Sequence, residues 1–135
     1  MPDNIEGSEQ KDKTQDERFQ RHENFESWYA NNIQFFSSEY DLKLICGELD
    51  WPKGNLVVQQ HTALVVSWLQ AKIMAYFIGT HVAIHEMTHG KIAVPAPVLP
   101  PEPVPPTGEL ANDPVAIQVY EYIKKAREQF MASLP

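Results

Sequence analysis

Residues 60–89 read QHTALVVSWLQAKIMAYFIGTHVAIHEMTH, with no proline and a single glycine, Gly79. This composition predicts one α-helix of roughly thirty residues, about 45 Å long at 1.5 Å per residue. Gly90 follows directly, where a glycine commonly ends a helix. Between Ala63 and Ile78, only Ser67, Gln70 and Lys72 interrupt the apolar residues. A surface helix shows one apolar stripe, so a helix that is apolar nearly all round must be covered on more than one side.

Three strand-like segments precede the predicted helix. Asn32–Ser38 and Tyr40–Leu49 are rich in β-forming residues, with a turn expected at Ser38–Glu39. Proline and glycine predict a second turn at 50–55, and Asn55–Gln60 follows as the third strand. The sequence therefore predicts an α+β fold class, with a small antiparallel three-stranded meander packed on one long helix.

Composition divides the chain into four segments. Residues 1–24 are polar throughout and are expected to form a disordered N-terminal arm, whereas residues 25–93 form the β-β-β-α domain. Residues 94–110 contain seven prolines, which predicts an extended polyproline strap. Residues 111–135 are expected to form an amphipathic C-terminal helix, which Asn112–Pro114 opens with a capping residue and a proline in the first turn.

Charge and cysteine content narrow the function classes. The net charge is −7 and no basic stripe is visible, so nucleic-acid binding is not expected. Cys46 is the single cysteine, and the polar N-terminus lacks a secretion signal. Together these features predict a cytoplasmic protein. Ala63–Ile84 has about the length of a membrane span, but Lys72 near its middle is costly in lipid, so membrane contact is expected only as a peripheral subunit.

The stretch HEMTHG at the end of the helix matches H-E-x-x-H, the helical signature of zinc peptidases. His85 and His89 lie four residues apart and could bind one zinc ion, while Glu86 could hold the water that zinc acidifies. Glu121, in the last predicted helix, is the candidate third ligand, and nothing in the sequence distinguishes it from Glu128. Against this hypothesis, His89 is the last residue before Gly90, where a histidine also favours the negative end of the helix dipole.

An ordered set of short motifs resembles an uncharacterised bacterial and archaeal family, domain of unknown function 3467. The motifs are YANN (Tyr29–Asn32), Asp41 within SEYDLKL, Cys46–Gly47, VVQQHTA (Val57–Ala63) and IHEMTHGKI (Ile84–Ile92). The resemblance covers about residues 29–92. It implies a similar fold, and it implies no activity, because none is established for the family.

The resemblance bears on the zinc motif. Family members typically end the long helix in Y-E-x-x-F-G-x-I. Glu86 and Gly90 match that ending, whereas His85 and His89 replace aromatic residues. Elsewhere, Cys46 replaces the usual phenylalanine, and glutamines replace the Ser-Pro that opens the family's helix. The resemblance therefore implies that the two histidines were added to a structural helix end that has no zinc.

The favoured function is that of a non-enzymatic accessory or scaffolding subunit, which dimerises or docks onto a larger protein assembly. No cofactor is expected. The alternative is a small zinc-dependent hydrolase or peptidase that uses Glu86 as its catalytic residue and His85, His89 and Glu121 as metal ligands. The residues predicted to bind the partner are the large apolar side chains of the two helices: Trp68, Ile73, Tyr76, Phe77, Val119, Tyr120, Ile123 and Phe130.

Overall fold

The computed structural model describes residues 18–49 and 57–135. These residues form three strands and two α-helices: β1 Asn32–Ser37, β2 Asp41–Leu49, β3 Val58–Ser67, α1 Trp68–His89 and α2 Pro114–Ala132. The strand order is β1-β2-β3, so the predicted three-stranded antiparallel sheet and the α+β class are confirmed. The chain divides into two units at Val65. The predicted turn at 50–55 and most of the predicted N-terminal arm lie outside the described residues.

The β1–β2 hairpin places Ile33 opposite Cys46 and Phe35 opposite Leu44. Leu44 is 7% exposed, and it is the one buried hydrophobic side chain in the described part of the chain. Phe35 and Phe36 remain mostly exposed. The described residues thus remove little apolar surface from water.

The hairpin turn is held by Ser38 and Asp41. The Ser38 hydroxyl donates to Asp41 Oδ1 at 2.8 Å and accepts from the Asp41 backbone N–H at 3.0 Å. The Ser38 backbone N–H donates to the Asp41 carbonyl oxygen at 2.9 Å. The predicted turn between the first two strands is therefore confirmed.

Asn31, just before β1, and Gly47, in β2, determine the backbone contacts at the end of β2. The side-chain amide of Asn31 donates to the Leu49 carbonyl oxygen at 3.0 Å and accepts from the Leu49 N–H at 2.7 Å. Gly47 lies so close to β3 that an added Cβ would be 2.6 Å from Val58 Cγ1 and 2.8 Å from the Gln59 carbonyl oxygen. Position 47 therefore has no room for a side chain.

The predicted start of the long helix, at Gln60, is wrong. Strand β3 continues to Ser67, so α1 has 22 residues and is about 33 Å long. Ser67 has an extended backbone, and its hydroxyl accepts from the Gln70 N–H at 3.2 Å, which makes it the N-cap. The β-branched residues Val65 and Val66, followed by a serine, are the signals that favour a strand ending in a helix cap.

The other predicted helix termini are confirmed. Gly90 has a positive φ of 93° and donates its N–H to the Glu86 carbonyl oxygen at 3.0 Å, as a C-terminal glycine does. Helix α2 begins at Pro114, and the Asp113 carboxylate caps it by accepting from the Val115 N–H at 2.9 Å.

The proline-rich residues 94–110 contain two short 3₁₀ turns, at Ala96–Val98 and Gly108–Leu110. Pro95 and Leu99, the residues on either side of the first 3₁₀ turn, have φ near −60° and ψ of 145°. These angles are those of a polyproline II conformation.

Candidate interaction surface

Helix α1 has no buried residue. Leu69 and Met87 are each more than 70% exposed. At 100° per residue, Leu69, Phe77 and Ile78 lie about 100°, 180° and 280° around the axis from Trp68, so apolar side chains face every direction. The exposed large apolar residues of α1 are Trp68, Leu69, Ile73, Tyr76, Phe77, Ile78, Val82, Ile84 and Met87. Apolar surface of this extent makes α1 the candidate interaction surface of the described residues.

No helix within residues 18–49 and 57–135 combines the length and the apolar character needed to cross a membrane.

Of the eight residues predicted to bind a partner, seven have exposed side chains. Trp68, Ile73, Tyr76 and Phe77 are exposed on α1, and Val119, Ile123 and Phe130 are exposed on α2. Tyr120 differs, because it is half-buried. Its surroundings show that the chain itself covers part of this side chain.

Tyr120 lies where the proline-rich strap meets α2. The Arg127 Nε–H donates to the Pro100 carbonyl oxygen at 3.0 Å, and the Arg127 side chain is only 23% exposed. Glu102 approaches the same guanidinium at 3.9 Å. A cleft of about 180 Å³ at this contact is lined by Glu102, Pro103, Tyr120, Lys124, Arg127 and Glu128.

The contact with the strap gives α2 two different faces. Tyr120 and Arg127 are seven residues apart, which is about two turns, so both lie on the strap face. Val119, Ile123 and Phe130 fall within about 40° of one another on a neighbouring face, and this face is exposed. Sequence analysis missed Arg127 as an anchor. Its spacing from Tyr120 was visible, but the carbonyl oxygen that it binds lies 27 residues away.

The histidines of the HEMTH motif lie on one exposed side of α1. The rings of His85 and His89 stack with centroids 4.6 Å apart. They line an open groove of about 510 Å³ together with His81, Val82, Ile84, Thr88 and Ile92. Glu121, the third ligand of the zinc hypothesis, is on α2. Among the residues that the structure describes, no three His, Cys, Asp or Glu side chains are grouped so that they could hold a metal ion.

Glu86 binds the chain that follows α1. Its Oε1 accepts from the Ile92 N–H at 3.1 Å, and its Oε2 accepts from Lys91 Nζ at 3.1 Å. The hydrogen bond from the Ile92 backbone, followed by that from Lys91, lowers the pKa of Glu86 below the usual glutamate value. These contacts give Glu86 a structural role at the helix end, and they do not favour a catalytic one.

The residues on which the resemblance to the uncharacterised family rests each hold a segment of backbone in place. Asn31 pairs with the β2 backbone, Asp41 closes the hairpin, and Gly47 permits the close approach of β3. Glu86 and Gly90 end α1. Each of these residues acts on the backbone, and none of them joins another in a cluster of reactive groups.

Comparisons of the chain with protein-family models, with curated proteins and with solved structures found no match. The resemblance described above therefore stays a prediction. The candidate site rests on the geometry of the helices alone.

Proposed function

We propose that this protein is a non-enzymatic accessory or scaffolding subunit, which dimerises or docks onto a larger protein assembly through apolar helix faces. The observation that carries the proposal is that no residue of α1 is buried, although nine of its large apolar side chains are exposed. The assembly that we propose is cytoplasmic, and the cytoplasmic face of a membrane complex is one place for it.

A comparison of the free energy of apolar burial with the cost of association indicates how much of the α1 surface a stable complex must bury. Fully burying one exposed large apolar side chain contributes about 1.5–3 kcal/mol, and Trp68, Ile73, Tyr76 and Phe77 are 41–67% exposed, so together they supply about 3–6 kcal/mol before costs. Association itself costs about 4–15 kcal/mol. Four residues therefore offset only the low end of this cost, and a stable complex must use more of α1 or add a second surface.

The exposed face of α2 is such a second surface. Val119, Ile123 and Phe130 are separated by four and seven residues, a spacing that keeps them on one side of the helix. The strap binds the adjacent face through Arg127, so it leaves these three side chains free for a partner.

Size-exclusion chromatography with light scattering tests the proposal. We expect the purified protein to exceed the monomer mass, or to co-elute with a second protein at fixed stoichiometry. Tyr76→Glu places a charge on the exposed apolar surface of α1 and should shift the protein to monomer. Lys125→Glu, on the polar side of α2, changes charge without touching that surface and should leave the mass unchanged. A monomeric wild type that stays soluble and carries no partner would overturn the proposal.

Metal analysis tests the alternative zinc enzyme. On the proposed function, the purified protein contains no stoichiometric zinc, and His85→Ala changes nothing in its metal content. Stoichiometric zinc that disappears in His85→Ala would favour the hydrolase instead.

A further inference from the structure

We propose that the partner on one face of α1 is a second copy of this chain, antiparallel to the first and related by a two-fold axis at Gly79. This inference rests on the proposed function and names its partner. The observation behind it is the position of charge on α1. Lys72 and Glu86 are the only Lys, Arg, Asp or Glu residues in the helix, and each lies seven residues from Gly79.

Seven residues are close to two helical turns, so Lys72 and Glu86 each lie within about 20° of Gly79, on opposite sides of it, and about 40° from each other. In an antiparallel pair centred on Gly79, each residue faces the one equally far beyond the axis. Lys72 then faces Glu86 of the second copy, and symmetry repeats the contact. A parallel pair in register would instead set like charges against each other, so charge selects the antiparallel arrangement.

The packing around Gly79 agrees with this arrangement. A glycine within a helix costs about 0.5–1 kcal/mol relative to alanine. At Gly79 no atom lies within 4 Å of the position that a Cβ would occupy, so nothing in the described chain requires the glycine. Ala75 and Ala83, four residues to either side, share this face. A second helix could therefore approach closely. These small residues alone would not identify a partner, and the complementary charges do.

In the antiparallel pair of α1 helices, the charged residues and the apolar residues contribute differently. The Glu86 side chain is 19% exposed and already pairs with Lys91, and ion pairs near the surface are weak, so the two Lys72–Glu86 contacts fix orientation and register, and the affinity comes from apolar burial. Tyr76 and Val82 lie three residues to either side of Gly79 and flank the two charged residues. Glu86 can take part although it already binds Lys91 and Ile92, because a carboxylate has about four acceptor positions.

Charge reversal tests the pairing in full-length protein. Lys72→Glu and Glu86→Lys should each raise the dimer Kd about 10- to 100-fold, because two attractive contacts become repulsive. Mixed in equal amounts, the two variants should form a heterodimer near the wild-type affinity, since each supplies the charge that the other needs. Lys125→Glu is the matched control and should not change the Kd. Circular dichroism of each variant checks that Glu86→Lys, which also loses the Lys91 contact, keeps its helices.

Cysteine crosslinking reads the register directly. In a Cys46→Ser background, Ala75→Cys mixed with Ala83→Cys should give a mixed disulfide, whereas each variant alone should give little crosslinking. Disulfides between two copies of the same variant would indicate a parallel pair and overturn the inference.

The two proposals fail differently. A wild type that is monomeric and carries no partner defeats the proposed function and this inference together. An oligomer, or a complex with a different protein, that is insensitive to both charge reversals defeats only the antiparallel pair.

Discussion

Replacing Gly47 by alanine should destabilise the β-sheet, because β3 passes directly over this residue of β2. The new Cβ would lie 2.6 Å from Val58 Cγ1 and 2.8 Å from the Gln59 carbonyl oxygen. The Val58 side chain can rotate away at a cost of about 0.5–1.5 kcal/mol. The Gln59 carbonyl is part of the backbone, so it can move only if β3 itself shifts.

Overpacking of this kind typically costs about 1–3 kcal/mol. Alanine also lowers the conformational entropy of the unfolded chain relative to glycine, and this stabilises the folded protein by about 0.4–1 kcal/mol. We therefore expect Gly47→Ala to lower the free energy of unfolding by about 1–2 kcal/mol. For a chain of 135 residues the midpoint of thermal unfolding should fall by about 4 °C per kcal/mol, between the values for 60–100-residue and 150–250-residue domains.

Thermal and urea unfolding, followed by far-UV circular dichroism at one fixed protein concentration, measure the effect. Glu48→Ala is the control, because this neighbouring side chain is exposed and its loss should change stability by less than about 0.5 kcal/mol. Adding Val58→Ala to Gly47→Ala removes the contact with Cγ1 but leaves the contact with the Gln59 carbonyl oxygen, so the double variant should still show the part of the overpacking that involves the backbone. A Gly47→Ala protein as stable as the wild type would show that the two strands do not approach as described.

Three further predictions concern helix ends and the strap. Asp113→Ala should lower the free energy of unfolding by about 1 kcal/mol in urea titrations, whereas Asp113→Asn should retain most of the cap. Arg127→Lys should free the strap, because lysine lacks the Nε–H that binds Pro100, and limited proteolysis should then cleave the strap faster than in the wild type. The lowered pKa of Glu86 means that its stabilising contribution is complete above the usual glutamate pKa and is lost as pH falls through the folded value. Acid titration of helicity should show this loss, and Glu86→Gln should not.

Local signals predicted the elements that local contacts determine. Ser38 and Asp41 form the first hairpin turn from residues three apart, and Asp113 caps α2 through the residue two positions later. The start of α1 was predicted wrongly because residues 60–67 lack proline and glycine and contain the short apolar run Ala63–Val66, which fits a helix or a strand. The β-branched pair Val65 and Val66 favours the strand, and the hydrogen bond that the Ser67 hydroxyl accepts from the Gln70 N–H sets the start of the helix.

The remaining features depend on contacts that periodicity does not reveal. Arg127 binds a carbonyl oxygen 27 residues earlier, and Gly47 meets a strand that begins eleven residues later. Neither partner can be chosen from spacing alone. In the HEMTH motif, Glu86 accepts a hydrogen bond from the backbone N–H of Ile92, a contact that the H-E-x-x-H pattern does not predict.

Leu44 is the one hydrophobic side chain that the described residues bury, and this affects how the folding of the protein depends on its assembly. On the proposed function, a chain whose described residues bury so little gains most of its folding free energy when it meets the proposed partner, so folding and assembly become a single equilibrium. Its melting temperature should then rise with concentration. Molecules made in excess of the partner should be degraded, so that the supply of the partner sets how much of this protein accumulates.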